Sequence, residues 1–549
     1  MLIRPSTRLP VHAEPTVRWR SSNQHTVGWI GNIFYPGHVA GLPTIEHLLH
    51  ELTNRPLAAL LRSLHGIYGI FVYDHMVKKW SVAADNSGLY RIFYNDEAVA
   101  TRFLEIAAAY SAKSRLIDDR AIVEYLAVGG TYGSHTPVNS IKKLRGDEML
   151  ELESVPVPAV RVQRKPAEEQ PGDGEDFILQ YFENVARALA DSRVSVDLTG
   201  GFDSRVVACL LARSELQFDC GLFGTADSGD VIVARTVAQT LQRRLDLHHH
   251  DISRLDDDLY DAWRDGDGLT EMPGLHRDRQ LCLRRVANEI EVIVHGGGGE
   301  FFSDRYYAHD FPFYGTKRTD VARFYRLRIA PIPLPDMHLA EPASAMLRQL
   351  DVDIVARFAR MEEENNSKTY DKIWYYFKAP EYFGTAFSNY TNLGLNVEAP
   401  FLNHRVAAVA RNLPAWSRAF QFWHRRMITR HCPKLAEIKT FPGGYTASTR
   451  RTRMVAELAR YARNQAGRVA RKLTERHFGK ALFHNAAELT VDIPGYRDGL
   501  RGSEMFSTAV ARLQKQGILA PNLDKEKIAN VHVGRMMTMG TLLVYLDDA

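Results

Sequence analysis

Val194-Ser195-Val196-Asp197-Leu198-Thr199-Gly200-Gly201-Phe202-Asp203-Ser204-Arg205 is the stretch that decides how this chain is read. A short β-branched strand runs into a Gly-Gly turn, and Asp203-Ser204 opens a helix. Two glycines let backbone N–H groups approach an oligophosphate with no Cβ in the way. The helix N-terminus that follows adds its dipole and its free donors. Thr199 and Ser204 supply hydroxyls that can donate to the same anion. Asp203 would repel phosphate by itself, so its chemistry suits a Mg²⁺ ion bridging to the pyrophosphate. The competing reading is an ordinary strand-to-helix turn with an Asp-Ser cap. Position favours the nucleotide loop, because the turn follows the first strand of an α/β unit.

Outward from that loop, helix and strand take turns. Helices are predicted over 177–189, 203–212 and 231–241, and strands over 194–198, 218–223, 246–251 and 291–295. That alternation implies a doubly wound parallel sheet. Beyond about residue 340 the chain reads as mainly helical, and it contains no internal repeat. Upstream, strands are expected at 69–74, 80–84 and 91–94, with a helix over 120–126. Between these halves, residues 156–174 are rich in proline and charge and read as a linker, giving a first unit over 1–155 and a second over 175–549. The 549 residues exceed what one core usually serves, in agreement with two units. With 45% apolar and 24% charged residues the chain is globular, and its net charge of +4 gives no reason to expect nucleic acid as a partner. No apolar run is long enough to span a membrane, and no signal-peptide pattern opens the sequence, so a cytoplasmic location is expected. The four cysteines, Cys209, Cys220, Cys282 and Cys432, lie too far apart for a zinc motif.

Thr199-Gly200-Gly201-Phe202-Asp203-Ser204 resembles the SGGxDS loop of the ATP-pyrophosphatase (PP-loop) enzymes. Other segments, in order, resemble one branch of these, the asparagine synthetase family. They are Gly221-Leu222-Phe223-Gly224-Thr225 with Asp230-Val231-Ile232-Val233-Ala234, and Asn396-Val397-Glu398-Ala399-Pro400-Phe401-Leu402-Asn403, similar to the family's R-x-PFLD. In the first unit, 84–94 resembles the RDxxGxxPLYY hairpin of a glutaminase domain, and 129–146 resembles that domain's end. The resemblance implies an Ntn-hydrolase-like (glutaminase-like) αββα domain, then a doubly wound PP-loop synthetase domain with helical extensions. It implies ATP and Mg²⁺ as cofactors, held by Leu198, Thr199, Gly200, Gly201, Asp203, Ser204, Phe223, Gly224, Gly297 and Gly298, with Asp203 and Glu300 on the metal.

Three places depart from or extend the family pattern. Leu2 stands where glutamine-dependent members carry a nucleophilic cysteine, no cysteine precedes Cys209, and the Arg-Gly-Pro-Asp segment is missing. Glutamine hydrolysis therefore lacks its nucleophile, as in the family's β-lactam synthetases and lasso-peptide cyclases. His295-Gly296-Gly297-Gly298-Gly299-Glu300-Phe301-Phe302-Ser303-Asp304 lies where the family has GxGxDExF. Aligning Phe302 with the family's phenylalanine puts Gly299 on the metal-binding Asp, so that Glu300 replaces it, Asp304 swings in, or one ligand is lost; a plain turn with Glu300 as a cap is the alternative. In Glu437-Ile438-Lys439-Thr440-Phe441-Pro442-Gly443-Gly444-Tyr445, Lys439 matches the lysine that offsets charge on the adenylate and on the tetrahedral intermediate; Lys434 is its nearest rival.

The expected function is an ATP-dependent amide-forming ligase with Lys439 and Glu300 as catalytic residues. It would join a substrate carboxylate and an amine, on a small molecule or a peptide, and intramolecular closure to a macrolactam or β-lactam is a subclass. A catalytically degenerate scaffold or partner subunit is the alternative of a different class. His248-His249-His250-Asp251 falls on a predicted strand, where alternating side chains part, so no metal is expected there. Residues 450–472 set eight basic side chains against Glu457. They read as an amphipathic helix that is either a solvated face or a surface for an acidic partner.

Overall fold

The computed structural model describes residues 1–4, 16–109, 116–153, 159–165, 174–272, 274–478 and 495–548. The first unit contributes β1 (Leu2–Ile3), β2 (Arg18–Ser21), β3 (His25–Phe34), β4 (His65–Asp74), β5 (Lys79–Ala84), β6 (Phe93–Tyr94), β7 (Val99–Ala100), β8 (Lys142–Lys143), β9 (Glu148–Glu153) and β10 (Ala159–Arg164). They form two antiparallel sheets, β1-β7-β6-β8 and β10-β9-β5-β4-β3-β2. The period-two alternation of β3 and β4 sorts their side chains to two faces. Val27, Trp29, Ile33, Ile70 and Val72 face Ile45, Leu48 and Leu49 of helix Leu42–Glu51. Ile30, Phe34, Phe71 and Tyr73 face the opposite way, into the core shared with the four-stranded sheet and with helices Phe103–Ala108 and Asp119–Val128. The last of these begins where the Asp118 side chain accepts the Ala121 N–H and ends at Gly129 with φ 76°.

The expected linker is partly structural. Within 156–174, Ala159–Arg164 is β10, paired antiparallel to β9 from Ala159↔Glu153 to Arg164↔Glu148. Residues 154–158 and 166–173 lie outside the described residues. A two-strand ladder was hidden because its residues, AVRVQR, alternate weakly and leave most side chains exposed.

The second unit is a five-stranded parallel sheet of β11 (Val194–Asp197), β12 (Asp219–Phe223), β13 (Leu245–His248), β14 (Val292–Val294) and β15 (Asn396–Glu398), in the order β13-β12-β11-β14-β15. The chain starts at the centre, steps outward to β13, and returns to the other side of β11. The strand order therefore reverses between β11 and β14, and the loops leaving their C-terminal ends flank one crevice. β13 ends at His248, so His249 and His250 leave the strand instead of alternating along it. His250 turns its Nε2 to 2.8 Å from His276 Nδ1.

Downstream the chain is helical except for β15. Its last helix, Asn530–Asp548, is buried and fastens both units. The Trp263 indole donates to Thr538 O at 3.1 Å, and Arg535 donates to Ala127 O at 2.7 Å, at the end of the first unit's helix. No helix among the described residues is long and apolar enough to cross a membrane.

Candidate active site

The crevice between β11 and β14 brings two loops together. Thr199 N–H donates to Ser204 Oγ at 3.0 Å, and the two hydroxyls lie 3.0 Å apart. Thr199 Oγ1 also accepts from Gly201 N–H at 3.3 Å. These hydroxyls thus shape the turn itself. Gly200 N–H donates to Asp230 Oδ1 at 2.7 Å, and burial pushes the Asp230 carboxyl up from its ordinary range. Leu198 is fully buried, so only its backbone can meet a ligand.

Across the crevice, each glycine of the run is pressed against protein. A Cβ at Gly296 would stand 2.9 Å from Ser204 Cα, one at Gly297 2.7 Å from the Phe383 ring, and one at Gly298 2.8 Å from Leu402. A Cβ at Gly299 would stand 2.6 Å from Asp203 Cγ. Gly298, with φ 88°, turns the chain so that Glu300 can reach back and accept its N–H at 3.0 Å. Gly297 N–H goes to His295 Nδ1 at 2.8 Å. Gly297 and Gly298, expected at the cofactor, thus have partners for both N–H groups within the loop.

Residues 183–434 match the family model of asparagine synthase. Over these residues, which are fewer than half of the chain, it is similar to the asparagine synthase family. The match covers the whole parallel sheet and both crevice loops. Members of this family are ATP-dependent ligases and use ATP, generally with Mg²⁺. No curated protein matches the chain at a significant level.

Within the matched residues, Asp203 packs against Gly299, and its charge acts on the neighbouring Glu300. Burial, and after it the Asp203 charge, push the Glu300 carboxyl up from its ordinary range. Glu300 also accepts the Gly298 N–H, just before the short helix Gly299–Phe302. Asp304 has other partners: it accepts from the hydroxyls of Tyr314, at 2.8 Å, and Tyr461, and from Gln465 Nε2 at 3.4 Å. Carboxylates are the hard oxygen donors that Mg²⁺ prefers, and Asp203 can pack this closely on residue 299 because that residue has no side chain. Among the described residues no three of His, Cys, Asp or Glu gather as a metal cluster.

Sequence reasoning missed His424. It lies on helix Phe422–His431, is fully buried, and places Nε2 2.7 Å from Asp203 Oδ1. Nothing in Phe422-Trp423-His424-Arg425 distinguishes it from a core histidine; the contact spans 221 positions and exists only in the fold. Lys439 lies beyond the matched segment, and its side chain is exposed. Its loop is bound to the nucleotide loop through the backbone: Phe441 N–H donates to Gly200 O at 3.1 Å, and Arg205 donates to Ile438 O at 2.7 Å. The rival Lys434 is also exposed, on the short helix Pro433–Leu435 that precedes this loop. Phe223 and Gly224 lie at the end of β12, on the side of β11 away from β14, and Arg277 lies 5.4 Å over the Phe223 ring.

Proposed function

We propose that this protein is an amide-forming ligase that adenylates a substrate carboxylate and passes the acyl group to an amine without hydrolysing glutamine. The observation that carries it is the packing of Asp203, which opens a helix just after a Gly-Gly turn, against Gly299 of the second loop, next in sequence to Glu300.

In this reading a carboxylate oxygen attacks the α-phosphorus of ATP and pyrophosphate leaves. The amine nitrogen then attacks the acyl carbon, loses a proton, and AMP departs. Asp203 and Glu300 would hold Mg²⁺, and the ion would supply positive charge beside the phosphates. Gly201 and the N-terminus of helix Asp203–Arg213 would meet the phosphates, and His424 lies beside Asp203. Lys439 approaches from the adjoining loop and offsets charge on the acyl-adenylate and on the tetrahedral intermediate.

Independence from glutamine rests on the sequence, since residues 1–208 contain no cysteine. The two antiparallel sheets of the first unit, with helices on their outer faces, support an Ntn-like fold kept for support. The substrates, and whether ring closure is the outcome, are set by chemistry in the helical region.

The test is pyrophosphate release from ATP by the full chain, screened over carboxylates with amines, amino acids and peptides carrying both groups. Release that depends on a carboxylate and is not raised by glutamine supports the reading. Asp203→Ala and Lys439→Ala are each expected to lower turnover by about 10²-fold or more with the fold retained by circular dichroism. ATP binding without any carboxylate-dependent release, or full activity of Asp203→Ala, would overturn it.

A further inference from the structure

The Lys439 loop and the turn after Glu300 come from distant parts of the chain, yet one helix touches both. Arg451–Phe478 carries Glu457, Tyr461 and Gln465 four residues apart, so the three side chains form one stripe. Glu457 is buried and accepts from Thr446 N–H and Thr446 Oγ1, each at 3.0 Å, at the end of the Lys439 loop. Its other oxygen accepts from buried Arg425 at 2.7 Å, and Arg425 lies 3.9 Å over the Phe420 ring and next in sequence to His424. Tyr461 and Gln465 donate to Asp304, four residues beyond Glu300.

A second row strengthens the hold on the loop. Arg460 donates to Gly443 O at 2.9 Å and lies 5.3 Å over the Tyr445 ring, and Asn464 donates to the Tyr445 hydroxyl at 3.4 Å. Inside the loop, Thr440 N–H donates to Tyr445 O at 2.7 Å and Tyr445 N–H to Thr440 Oγ1 at 3.1 Å. Gly443 and Gly444, at φ 107° and 64°, turn the chain inside this loop where other residues would be strained.

We propose that helix Arg451–Phe478 sets the Lys439 loop against the Glu300–Asp304 turn, with Glu457 and Arg460 as positioning residues for Lys439. The basic character of this helix then has an internal use: Arg460 is spent on the loop, whereas Arg463 is exposed and serves solvation. The effect on turnover rests on the ligase reading above, but the effect on the loop does not.

The experiment compares the full chain with Arg460→Ala, Arg460→Lys, Glu457→Gln and Arg463→Ala. Hydrogen–deuterium exchange is read at residues 438–446 without ligand, and pyrophosphate release is read against ATP. Arg460→Ala and Glu457→Gln are expected to speed exchange of the Thr440, Gly444 and Tyr445 amides by about tenfold. They are expected to lower kcat by about tenfold while KM for ATP stays within about twofold. Arg460→Lys, which keeps a cation and a donor, should recover most of both, and Arg463→Ala should change neither. Arg460 is exposed, so its replacement tests the idea even if Glu457→Gln fails to fold. Unchanged exchange in Arg460→Ala would overturn the proposal, as would faster exchange with unaltered kcat, or an equal effect from Arg463→Ala. If the unaltered chain releases no pyrophosphate with any substrate, the ligase reading fails, and the exchange data alone decide the clamp.

Discussion

Position 299 shows how one missing Cβ organises the site. The glycine run reads as a place for a nucleotide to approach the backbone, but its four residues are small because protein already fills the space beside each of them. Gly299 makes room for Asp203, and Glu300 supplies the second carboxylate. Gly299→Asp, the change that would restore the acidic residue by alignment, is therefore expected to harm the protein. Its Cβ would start 2.6 Å from Asp203 Cγ, costing about 1–3 kcal/mol by overpacking and adding a third charge. A lowered melting temperature and at least about tenfold slower pyrophosphate release check this; a gain in activity would show that the pattern matters more than the packing.

At the scale of elements, helix ends decide what several quoted motif residues do. Asn403 stands where the family segment has an acidic residue, and here it is a cap. Its Oδ1 accepts from Arg405 N–H at 3.0 Å and Val406 N–H at 3.4 Å, opening helix His404–Asn412. Asn403→Ala should lose about 1 kcal/mol of stability in urea denaturation, and Asn403→Asp, which keeps the capping oxygen but buries a charge and loses the amide beside His65, should lose stability as well. Helix Phe422–His431 does more than fill the core, because adjacent residues point to different tasks: His424 to Asp203 and Arg425 to Glu457. The heptad-like spacing of apolar residues reveals such a helix but not which of its polar residues are buried.

Across the whole molecule, the seam between the units is polar in places. Glu398, at the end of β15, is buried and accepts from Asn32 Nδ2 of β3 at 2.9 Å and from Tyr181 at 3.0 Å. Burial pushes its carboxyl up to about 7 from an ordinary value of 4.5. The folded chain therefore holds a proton there that the unfolded chain gives up. Its stabilisation is full below about pH 4.5 and is lost as pH rises through about 7, up to about 3 kcal/mol. Glu398→Gln should flatten the fall in the urea midpoint between about pH 5 and about pH 8; an unchanged slope would place that pH dependence elsewhere. The last helix adds to the same seam, since Arg535 reaches the carbonyls that end helix Asp119–Val128.

What the sequence determined by itself was local. Val194-Ser195-Val196 followed by Gly200-Gly201 and Asp203-Ser204 sufficed for strand, turn and helix, and the alternation downstream sufficed for a parallel sheet. These signals are legible because periodicity and turn chemistry act over a few residues. The weakly alternating β10 escaped, as did the early end of β13. Only the tertiary structure set Asp203 against Gly299 and His424, gave Asp304 to Tyr314 and Tyr461, and spent the N–H groups of Gly297 and Gly298 within their own loop. Those outcomes depend on the strand order reversing between β11 and β14 and on helices packed from the far end of the chain. Contacts of that kind are chosen by the shape and energy of the packed whole, and no short-range pattern encodes them.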